Sequence, residues 1–557
     1  MKNYREGLYV ESIKYYSVAL PIFGRALGNL HHVSTDASYW GPIIGPWLLH
    51  FATVYTSRIE ELQQSHAVHE PTGLVCHTPR DWTAPCYGWA QFIDLFPNDE
   101  FKESLSSQYL KALNGDCLNQ PISSDHDHLL RVSLIKKTRN YISKAISRRG
   151  LILIELFAYI AIVCSQILYK NRVIYLDSHL LDTKTRCMFF FKSRGRIASI
   201  PKIQFRNWTS YLKKKPVCDH ILRTKFKSLI DIPRESENAI FMQIASLNMP
   251  IAHLEDFLHI RNQARYLALR PPSVVMLNIG QYFDETLKCA IGEWLNHGTK
   301  IMVGQHGGGY GLLKFNSYEY YDFRLSSVFC TWGWTNRTAR TRTLPSIRLS
   351  RFIENYHRIN AKMPIYLYVC CTCPHFYSET LISDPQDNVA MRNGRSKFAE
   401  KCPVSLKAKV YIRPYPNNSS AFGSCDVSEF RSADFTIQEN ISYVEAYSSA
   451  TILIFEGLST GLFEALASDK PFVLYMPGLK QLPWSDLGRH FINLLVHGNM
   501  LFTSEGALVE FLQSDVDKWW LSDKTNSYRI QLKRQFAMTS QNFMDDWIAD
   551  LFQLAAR

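Results

Sequence analysis

A glycine-rich loop with one histidine is the most distinctive chemical feature of the sequence. Five glycines occur in the eight residues Gly304-Gln305-His306-Gly307-Gly308-Gly309-Tyr310-Gly311, directly after an apolar, strand-like run. Glycines let the backbone approach a ligand closely and present free N–H groups. The string has neither the Gly-Lys-Ser/Thr of a P-loop nor the spacing of a dinucleotide-binding loop. We therefore expect His306, with Gln305, Gly307 and Gly308, to bind a carboxylate or phosphate or to act as acid or base; the alternative is a tight turn.

Two acidic residues, Asp284 and Glu285, open a predicted helix after the buried strand 273–278. In open α/β sheets the carboxyl ends of strands face the ligand crevice. Strand 300–304 is the next along the chain, so we expect Asp284, Glu285 and His306 to share one rim of a sheet. The alternative is that the two carboxylates only complement the helix N-terminus.

A third candidate site is the strand–turn–helix segment 451–467. Ser459 and Thr460 lie where the helix opens, and hydroxyl and N–H groups there form an anion site or simply cap the helix. Glu464 lies about one turn into the helix and is predicted to reach a ribose hydroxyl. Arg413 ends a neighbouring strand and is a candidate for binding a phosphate. The alternative is that Arg413 is simply a solvent-exposed arginine. Glu456, before the turn, completes the predicted nucleotide-binding set.

The order of elements indicates an α/β protein. The 557 residues, 46% hydrophobic and 20% charged, exclude a wholly disordered chain and suggest several domains. Short apolar strands alternate with helices, which is typical of parallel sheets. We predict an N-terminal domain over 1–350 with helical additions, a nucleotide-binding domain over 351–505 and C-terminal helices over 506–557. The Arg- and Thr-rich stretch 335–362 is the expected linker, and Gly41-Pro42 and Gly45-Pro46 are expected turns.

Several motifs together resemble a family of bacterial transferases of surface-carbohydrate, lipopolysaccharide and O-antigen biosynthesis. The matching strings are Tyr39-Trp40 with Ile44-Gly45-Pro46-Trp47-Leu48, Tyr175-Leu176-Asp177-Ser178-His179-Leu180, the His306 loop, Thr331-Trp332-Gly333-Trp334 and Leu458–Ala467. The family usually has another strand-containing segment before Tyr39-Trp40, and often a polar pair where Phe455-Glu456-Gly457 stands here. The family is similar to GT-B glycosyltransferases, especially retaining β-Kdo transferases that use CMP-Kdo.

The resemblance implies two Rossmann-like domains facing a cleft, with the nucleotide in the C-terminal domain and an acidic nucleophile in the N-terminal one. We therefore expect a metal-independent glycosyltransferase that moves a sugar, Kdo or a related acidic sugar, from a nucleotide donor to a lipid-linked surface glycan. No other cofactor is expected. On this basis Asp284 is the predicted nucleophile or essential base, Glu285 its alternate, and His306 a contact to the donor. The alternative function is a non-catalytic nucleotide- or carbohydrate-binding protein.

The charge and hydropathy of the sequence predict where in the cell the protein acts. The net charge is +12, and seven Lys or Arg but no acidic residue lie between Arg131 and Arg149. Such a run attracts anions, but no zinc-finger or RNP-type motif supports nucleic acid as the partner. The apolar segment 151–169 contains Glu155, which favours a buried helix over a membrane-surface helix, and either over a true span. The odd number of cysteines, 13, and the absence of a signal-peptide pattern favour a cytoplasmic protein. The basic run and the apolar segment behind it further predict that it is peripheral at an anionic membrane.

Overall fold

The computed structural model describes most of the chain. The described residues are 2–68, 85–95, 99–113, 148–201, 218–231, 238–268, 270–335, 340–356, 365–371, 385–415, 427–439, 441–479 and 482–556. They form two compact units. The N-terminal unit comprises Gly7–Val303, Arg324–Ser327 and Ile548–Arg557, and the C-terminal unit comprises Met1–Glu6, Gly304–Phe323 and Val328–Trp547.

Helices precede the first strand. They are α1 (Lys2–His31), α2 (Ala37–Val68), α3 (Trp89–Leu95), α4 (Asp99–Leu113) and α5 (Arg148–Tyr169). The first sheet has the order β2-β1-β3-β4-β5-β6, and every pairing described in it is parallel. Its strands are β1 (Ile174–Leu176), β2 (Ile197–Ser199), β3 (Val274–Leu277), β4 (Lys300–Gly304), β5 (Val328–Thr331) and β6 (Thr341–Thr343).

The helices between and after these strands follow the alternation expected of an α/β fold. They are α6 (Thr183–Lys192), α7 (His220–Ser228), α8 (Ala239–Leu247), α9 (Phe257–Ala268), α10 (Gly280–Phe283), α11 (Glu285–Leu295), α12 (Ser317–Leu325) and α13 (Ile347–Asn355). Because β1, β3 and β5 are buried at every position, they are continuous apolar runs in the sequence, as parallel strands covered on both faces are.

The second sheet is also parallel, in the order β12-β11-β10-β7-β8-β9. Its strands are β7 (Tyr366–Val369), β8 (Val410–Arg413), β9 (Thr436–Ile437), β10 (Ile452–Phe455), β11 (Phe472–Tyr475) and β12 (Leu501–Phe502). Its helices are α14 (Pro385–Lys401), α15 (Val404–Lys407), α16 (Ser428–Ser432), α17 (Tyr443–Ser449), α18 (Thr460–Ala467) and α19 (Asp486–His497). The chain ends in α20 (Glu505–Gln513), α21 (Val516–Leu521), α22 (Asp523–Phe536) and α23 (Phe543–Ala556).

The two parallel sheets confirm the predicted α/β class, with two Rossmann-like sheets as in a GT-B-like fold and helical additions at both ends. The predicted strands 273–278 and 300–304 each contain an observed strand, and observed strands also end at Arg413 and open the predicted strand–turn–helix segment 451–467. The domain boundaries at 350 and 505 stay predictions.

The two Gly-Pro pairs do not mark turns, so the prediction of turns there is wrong. Pro42 and Pro46 both lie inside α2, which begins at Ala37. A proline disfavours helical backbone at the residue before it partly through that residue's Cβ, and glycine has none. The carbonyl of Pro46 is bonded by His50 Nδ1 at 2.7 Å. Burial of neighbouring side chains, among them Trp40 and Trp47, stabilises the helix through this region.

The expected linker is largely structured. Of residues 335–362, the structure describes 335 and 340–356, and these contain β6 and α13. The apolar residues of α13 are Ile347, Leu349, Phe352 and Ile353, of which Ile347 and Leu349 are buried, and their helical spacing is a signal that the prediction of a linker missed. Helix α13 also carries Arg348, a charged residue of the candidate site.

Segment 151–169 is a helix, as predicted, but only one of its faces is buried. Ala158, Ala161, Ile162 and Ser165 of α5 are buried, whereas Leu156, Ile160, Ile167 and other apolar side chains are exposed. The prediction of a buried helix is therefore correct for one face of α5 and wrong for the other. Among the helices that the structure describes, none is long and apolar enough to cross a bilayer. The basic run Arg131–Arg149 lies almost entirely outside the described residues.

Buried histidines make the stability of the fold depend on pH. Burial lowers the pKa of His31, His50 and His306 to about 4. The unfolded chain binds these protons near pH 6.5, whereas the folded chain binds them only near pH 4. Their contribution to stability is thus complete above pH 6.5 and is lost as the pH falls towards 4.

We predict that His31→Phe reduces this acid sensitivity. The His31 ring lies against Phe257, with ring centroids 4.8 Å apart, and its Nε2 has no hydrogen-bond partner among the described residues. The variant should lose about 2 kcal/mol less unfolding free energy than the wild type between about pH 7.5 and pH 5, measured by chemical denaturation. The exposed control His297→Phe should lose as much as the wild type. Equal losses in His31→Phe and the wild type would contradict the prediction.

Candidate functional site

Gln305 holds the glycine-rich loop in place after β4. Its Oε1 accepts hydrogen bonds from the backbone N–H of Trp332 at 3.1 Å and from Nε1 of Trp334 at 2.9 Å. Its Nε2 donates to the carbonyl of Gly307 at 2.9 Å. The side chain was predicted to bind substrate, but the structure uses it as a brace between the loop and the segment after β5.

His306 is mostly enclosed and is neutral at neutral pH. Its Nδ1 lies 3.1 Å from the hydroxyl of Tyr310, which donates to Asp322 Oδ2 at 2.9 Å. Burial, followed by the positive charge of Arg348, lowers the pKa of His306 to about 4. A neutral imidazole offers one donor and one acceptor, so His306 can position a ligand through a hydrogen bond.

The glycines of the loop pack against the start of α18. A Cβ on Gly308 would lie 2.4 Å from Cε2 of Phe463 and 3.2 Å from the carbonyl of Leu458, so only glycine fits there. A Cβ on Gly307 would lie 3.7 Å from Oγ1 of Thr460. Two segments that the sequence singled out separately, the His306 loop and the 458–463 turn, are therefore in contact within the C-terminal unit.

The N-terminus of α18 keeps unused polar groups. Ser459 occupies the N-cap position, but its side chain makes no capping hydrogen bond, so the predicted hydroxyl cap is not formed. Its Oγ is buried and has no hydrogen-bond partner among the described residues. The first N–H groups of a helix also lack partners within the helix and carry a partial positive charge. Beside the His306 loop, this arrangement is suited to an anion.

Arg348 adds a positive charge that the sequence did not reveal. From α13, its Nε and Nη2 donate to Glu464 Oε1 at 3.2 and 3.1 Å. The side chain remains 43% exposed. Burial raises the pKa of Glu464, although Arg348 opposes that rise. Glu464 was predicted to contact a ribose; the structure places it inside, where it positions Arg348.

Arg413 and Glu456 lie at the carboxyl edge of the second sheet, where both bond to the protein itself. Glu456 is buried, forms an ion pair with Arg395 and accepts the backbone N–H of Cys371 at 2.6 Å. Arg413 donates to the carbonyl of Ile441. These contacts tie neighbouring strand ends together.

Asp284 caps α11 in the N-terminal unit. Its Oδ1 accepts the backbone N–H groups of Thr286 and Leu287, each at 3.0 Å. The capping alternative is thus realised, but the side chain is also buried at the end of a strand–helix connection. Burial raises the pKa of Asp284, and the nearby charge of His179 opposes the rise. A carboxylate that is both rigidly held and desolvated is suited to chemistry.

Asp177 and His179 form a dyad next to Asp284 that the sequence analysis included only within a family motif. Asp177 Oδ1 lies 2.6 Å from Nδ1 of His179, and Oδ2 accepts backbone N–H groups of residues 278–280. Burial tends to raise the pKa of Asp177, but these hydrogen bonds and His179 hold it below its usual range. Asp177 therefore fixes the orientation of the His179 ring. Asp-x-His directly after a strand was the signal that could have identified it.

Glu285 is committed to internal bonds. It accepts from the Lys288 ammonium at 2.9 Å and from the backbone N–H of Trp89 at 3.2 Å, and it pairs with His253 Nε2 at 3.0 Å. Burial opposes ionisation, but Lys288 and His253 lower the pKa of Glu285 to about 2. Asp284 is consequently the stronger candidate for a reacting group.

The structure thus gathers most predicted site residues into two clusters. His306, Gly307, Gly308, Ser459, Thr460 and Glu464 belong to the C-terminal unit, where they form what we call the anion cradle, completed by Arg348. Asp284 and Glu285 belong to the N-terminal unit. Within the described ranges, no group of three or more His, Cys, Asp or Glu side chains is arranged to hold a metal ion.

A family model matches residues 5–551, almost the whole chain. The chain belongs to the LIC12162 family of transferases. Membership confirms the predicted transferase class. No curated protein matches this LIC12162 family transferase significantly.

Solved structures show only distant likeness to this LIC12162 family member. The wall teichoic acid polymerase TagF is 9% identical, with a TM-score of 0.34 over 76% of this chain and 97% of that chain. MurG of Acinetobacter baumannii is 12% identical, with a TM-score of 0.32 over 69% and 99%. The spinosyn rhamnosyltransferase SpnG is 10% identical, with a TM-score of 0.26 over 69% and 96%. The fold assignment rests instead on the two parallel sheets of the chain itself.

We predict that Gly308→Ala separates the His306 loop from α18. The added methyl group would overlap the ring of Phe463, and the carbonyl of Leu458 leaves it little room on the other side. Overpacking of this kind costs about 1–3 kcal/mol, so the melting temperature should fall by several degrees.

Gly506→Ala is the matched control, because a Cβ there meets nothing closer than 3.8 Å and the residue is helical. It should leave the melting temperature unchanged or slightly raised. If Gly308→Ala melts with the wild type, the close packing of loop and helix is refuted.

Proposed function

We propose that the protein is a glycosyltransferase that uses a nucleotide-sugar donor and binds the donor's phosphate in the anion cradle. The observation that carries this proposal is the packing of the His306 loop on the N-terminus of α18, beside the buried hydroxyl of Ser459, which has no hydrogen-bond partner among the described residues. A transferase must stabilise the negative charge that develops on its leaving group. Hydrogen-bond donors that the fold already holds in position do so most effectively.

The cradle offers three kinds of group to a phosphate. The helix N-terminus supplies backbone N–H groups, Ser459 and Thr460 supply hydroxyls, and Arg348 supplies a fixed positive charge. Arginine binds anions through several N–H groups in one plane. His306 contributes a neutral hydrogen-bonding group. Together these replace the water shell of an anion, and the proposed transfer therefore needs no metal ion or other cofactor.

Asp284 is the proposed reacting carboxylate, as nucleophile or essential base. Burial destabilises its charge, which raises its reactivity in either role. The adjacent Asp177–His179 dyad provides a second group of controlled orientation, suited to a hydrogen bond with a sugar hydroxyl. Glu285 serves to fix the start of α11.

The sequence resemblance described above narrows the choice of sugar donor and glycan acceptor. We propose an acidic sugar such as Kdo, carried by a cytidine nucleotide, and a lipid-linked surface glycan as acceptor, with transfer on the cytoplasmic side of the membrane. Arg348 and His306 are the groups in the cradle that suit a sugar carboxylate as well as a phosphate.

Arg348→Gln is predicted to weaken donor binding. Loss of a charge-assisted hydrogen bond costs about 1.5–3 kcal/mol, so the dissociation constant of the best nucleotide from a panel of CMP, UDP, GDP and TDP conjugates should rise roughly tenfold to a hundredfold in calorimetry. Thr460→Val should also weaken binding, by a smaller factor, because it removes only a neutral hydroxyl. Thermal shift identifies the nucleotide first, since a ligand at about 100 times its dissociation constant adds about 2.7 kcal/mol of stability.

Two controls accompany these variants. Arg431→Gln removes an arginine that is paired with Glu439 on the surface, and Thr436→Val changes an exposed strand residue. Both should bind the donor like the wild type. Unchanged affinity in Arg348→Gln and Thr460→Val would refute the cradle as the nucleotide site.

Asp284→Asn is predicted to abolish transfer while preserving the fold. Asparagine keeps a side-chain oxygen for the two capping hydrogen bonds but cannot act as nucleophile or base. Turnover should fall at least about a thousandfold, about 4 kcal/mol in the barrier, with little change in melting temperature or donor affinity.

Asp219→Asn is a close control, because Asp219 also accepts two backbone N–H groups through Oδ1 at a helix start. It should retain full activity. Near-normal turnover in Asp284→Asn would refute the catalytic assignment. Donor binding without any turnover by the wild type, with a panel of acceptors, would instead favour the non-catalytic binding protein.

A further inference from the structure

We infer that the exposed face of α5 is a docking surface for an anionic lipid membrane. Leu156, Ile160, Val163 and Ile167 recur at spacings of three and four residues, so they lie along one side of the helix. All four are exposed, and Phe157 and Leu168 flank them. Ile167 and Leu168 are 66% and 69% exposed, values typical of surface charges rather than of large apolar side chains.

The apolar surface extends beyond the helix. Phe157 contacts Phe190 of α6, with ring centroids 6.4 Å apart, and Phe190 contacts the exposed Phe191. We call the combination of these α5 side chains and Phe191 the α5 patch. A contiguous apolar patch formed by two elements marks an interaction surface, whereas isolated exposed apolar residues do not.

The opposite side of α5 explains why the helix does not leave the protein. Ala158, Ala161 and Ile162 are buried, and Ser165 donates to the carbonyl of Gly195 at 2.5 Å. Glu155 is held by Arg186, with an Nη1–Oε1 distance of 2.9 Å. The helix is thus fixed on the N-terminal unit by one face and presents the other outward.

Basic residues at the end of α5 indicate which partner binds the α5 patch. Lys170 and Arg172 follow α5 directly, and Arg194 lies beside them, because its carbonyl accepts the hydroxyl of Tyr169 at 2.6 Å. All three side chains are exposed, and none takes part in an ion pair within the described part of the chain. An apolar helix face with a basic border fits the interface of a membrane that contains anionic lipids: the apolar side chains enter the acyl boundary and the cations meet the headgroups.

Flotation with vesicles tests the inference without any donor, so its failure is separate from failure of the proposed function. Wild-type protein should float with vesicles of phosphatidylcholine mixed with phosphatidylglycerol, and much less with phosphatidylcholine alone. High salt should weaken binding, because the basic border contributes by charge. The double variant Lys170→Gln/Arg172→Gln should have a lower vesicle partition coefficient, by roughly fivefold for each charge removed. The control Lys524→Gln should not lower it.

Ile160→Glu tests the apolar part. It should reduce vesicle binding at least about tenfold, since a carboxylate would face the acyl boundary. Ile530→Glu is the matched control, because Ile530 is 57% exposed on α22 and Ile160 is 50% exposed on α5. Ile530→Glu should bind vesicles like the wild type. Both variants should melt with the wild type.

Other results would overturn the inference. Absence of wild-type binding at low salt, or equal binding to neutral vesicles, would exclude an anionic membrane as the occupant. A fall in melting temperature by several degrees for Ile160→Glu but not for Ile530→Glu would show that another part of this chain covers the α5 patch. A wild-type dimer that Ile160→Glu converts to a monomer would assign the patch to a second copy.

Discussion

The candidate site depends on one steric constraint, the contact between Gly308 and the start of α18. The ring of Phe463 and the carbonyl of Leu458 occupy the space where any Cβ would lie, so the loop can approach the helix only as glycine. That approach places His306 and Thr460 in one cluster, where burial and then the positive charge of Arg348 lower the pKa of His306. Gln305 then prevents the loop from moving away, because two of its hydrogen bonds connect it to the segment after β5 and the third holds Gly307 of the loop.

Buried polar groups in this protein fall into two classes, and the difference supports the proposed binding site. Glu456 and Asp177 are buried and Glu285 is mostly enclosed, and each is surrounded by donors that compensate its loss of water. Such groups hold strand ends and helix starts together. The Ser459 hydroxyl has no such compensation among the described residues, at a helix end that also lacks a side-chain cap. An unpaired polar group costs free energy unless a ligand pairs with it, so this deficiency points to binding rather than to architecture.

Sequence reasoning predicted the elements better than the contacts between them. Parallel strands such as β3 and β10 are buried on both faces, so their apolar runs are visible without any partner. Local signals also placed His306, Ser459 and Asp284 at the ends of strands or the starts of helices. The partners of these residues come from distant parts of the chain: Arg348 meets Glu464 across 116 residues, and Asp177 meets Gly280 across 103. The prediction of turns at Pro42 and Pro46 was wrong for a related reason. Burial of the helix outweighed the local preference of Gly-Pro pairs for turns.

The Arg348–Glu464 pair fixes the arginine head within the cluster that we call the anion cradle. Glu464 is enclosed, and a desolvated carboxylate alone would take up a proton. Arg348 compensates it through two N–H groups, Nε and Nη2, that converge on one carboxylate oxygen. A guanidinium carries five N–H groups, so the half-exposed head keeps others for a second anion. A lysine could not divide its donors between a fixed partner and a ligand in one plane. The buried glutamate therefore orients the arginine, and in the proposed function the remaining N–H groups of the arginine meet the phosphate of the donor.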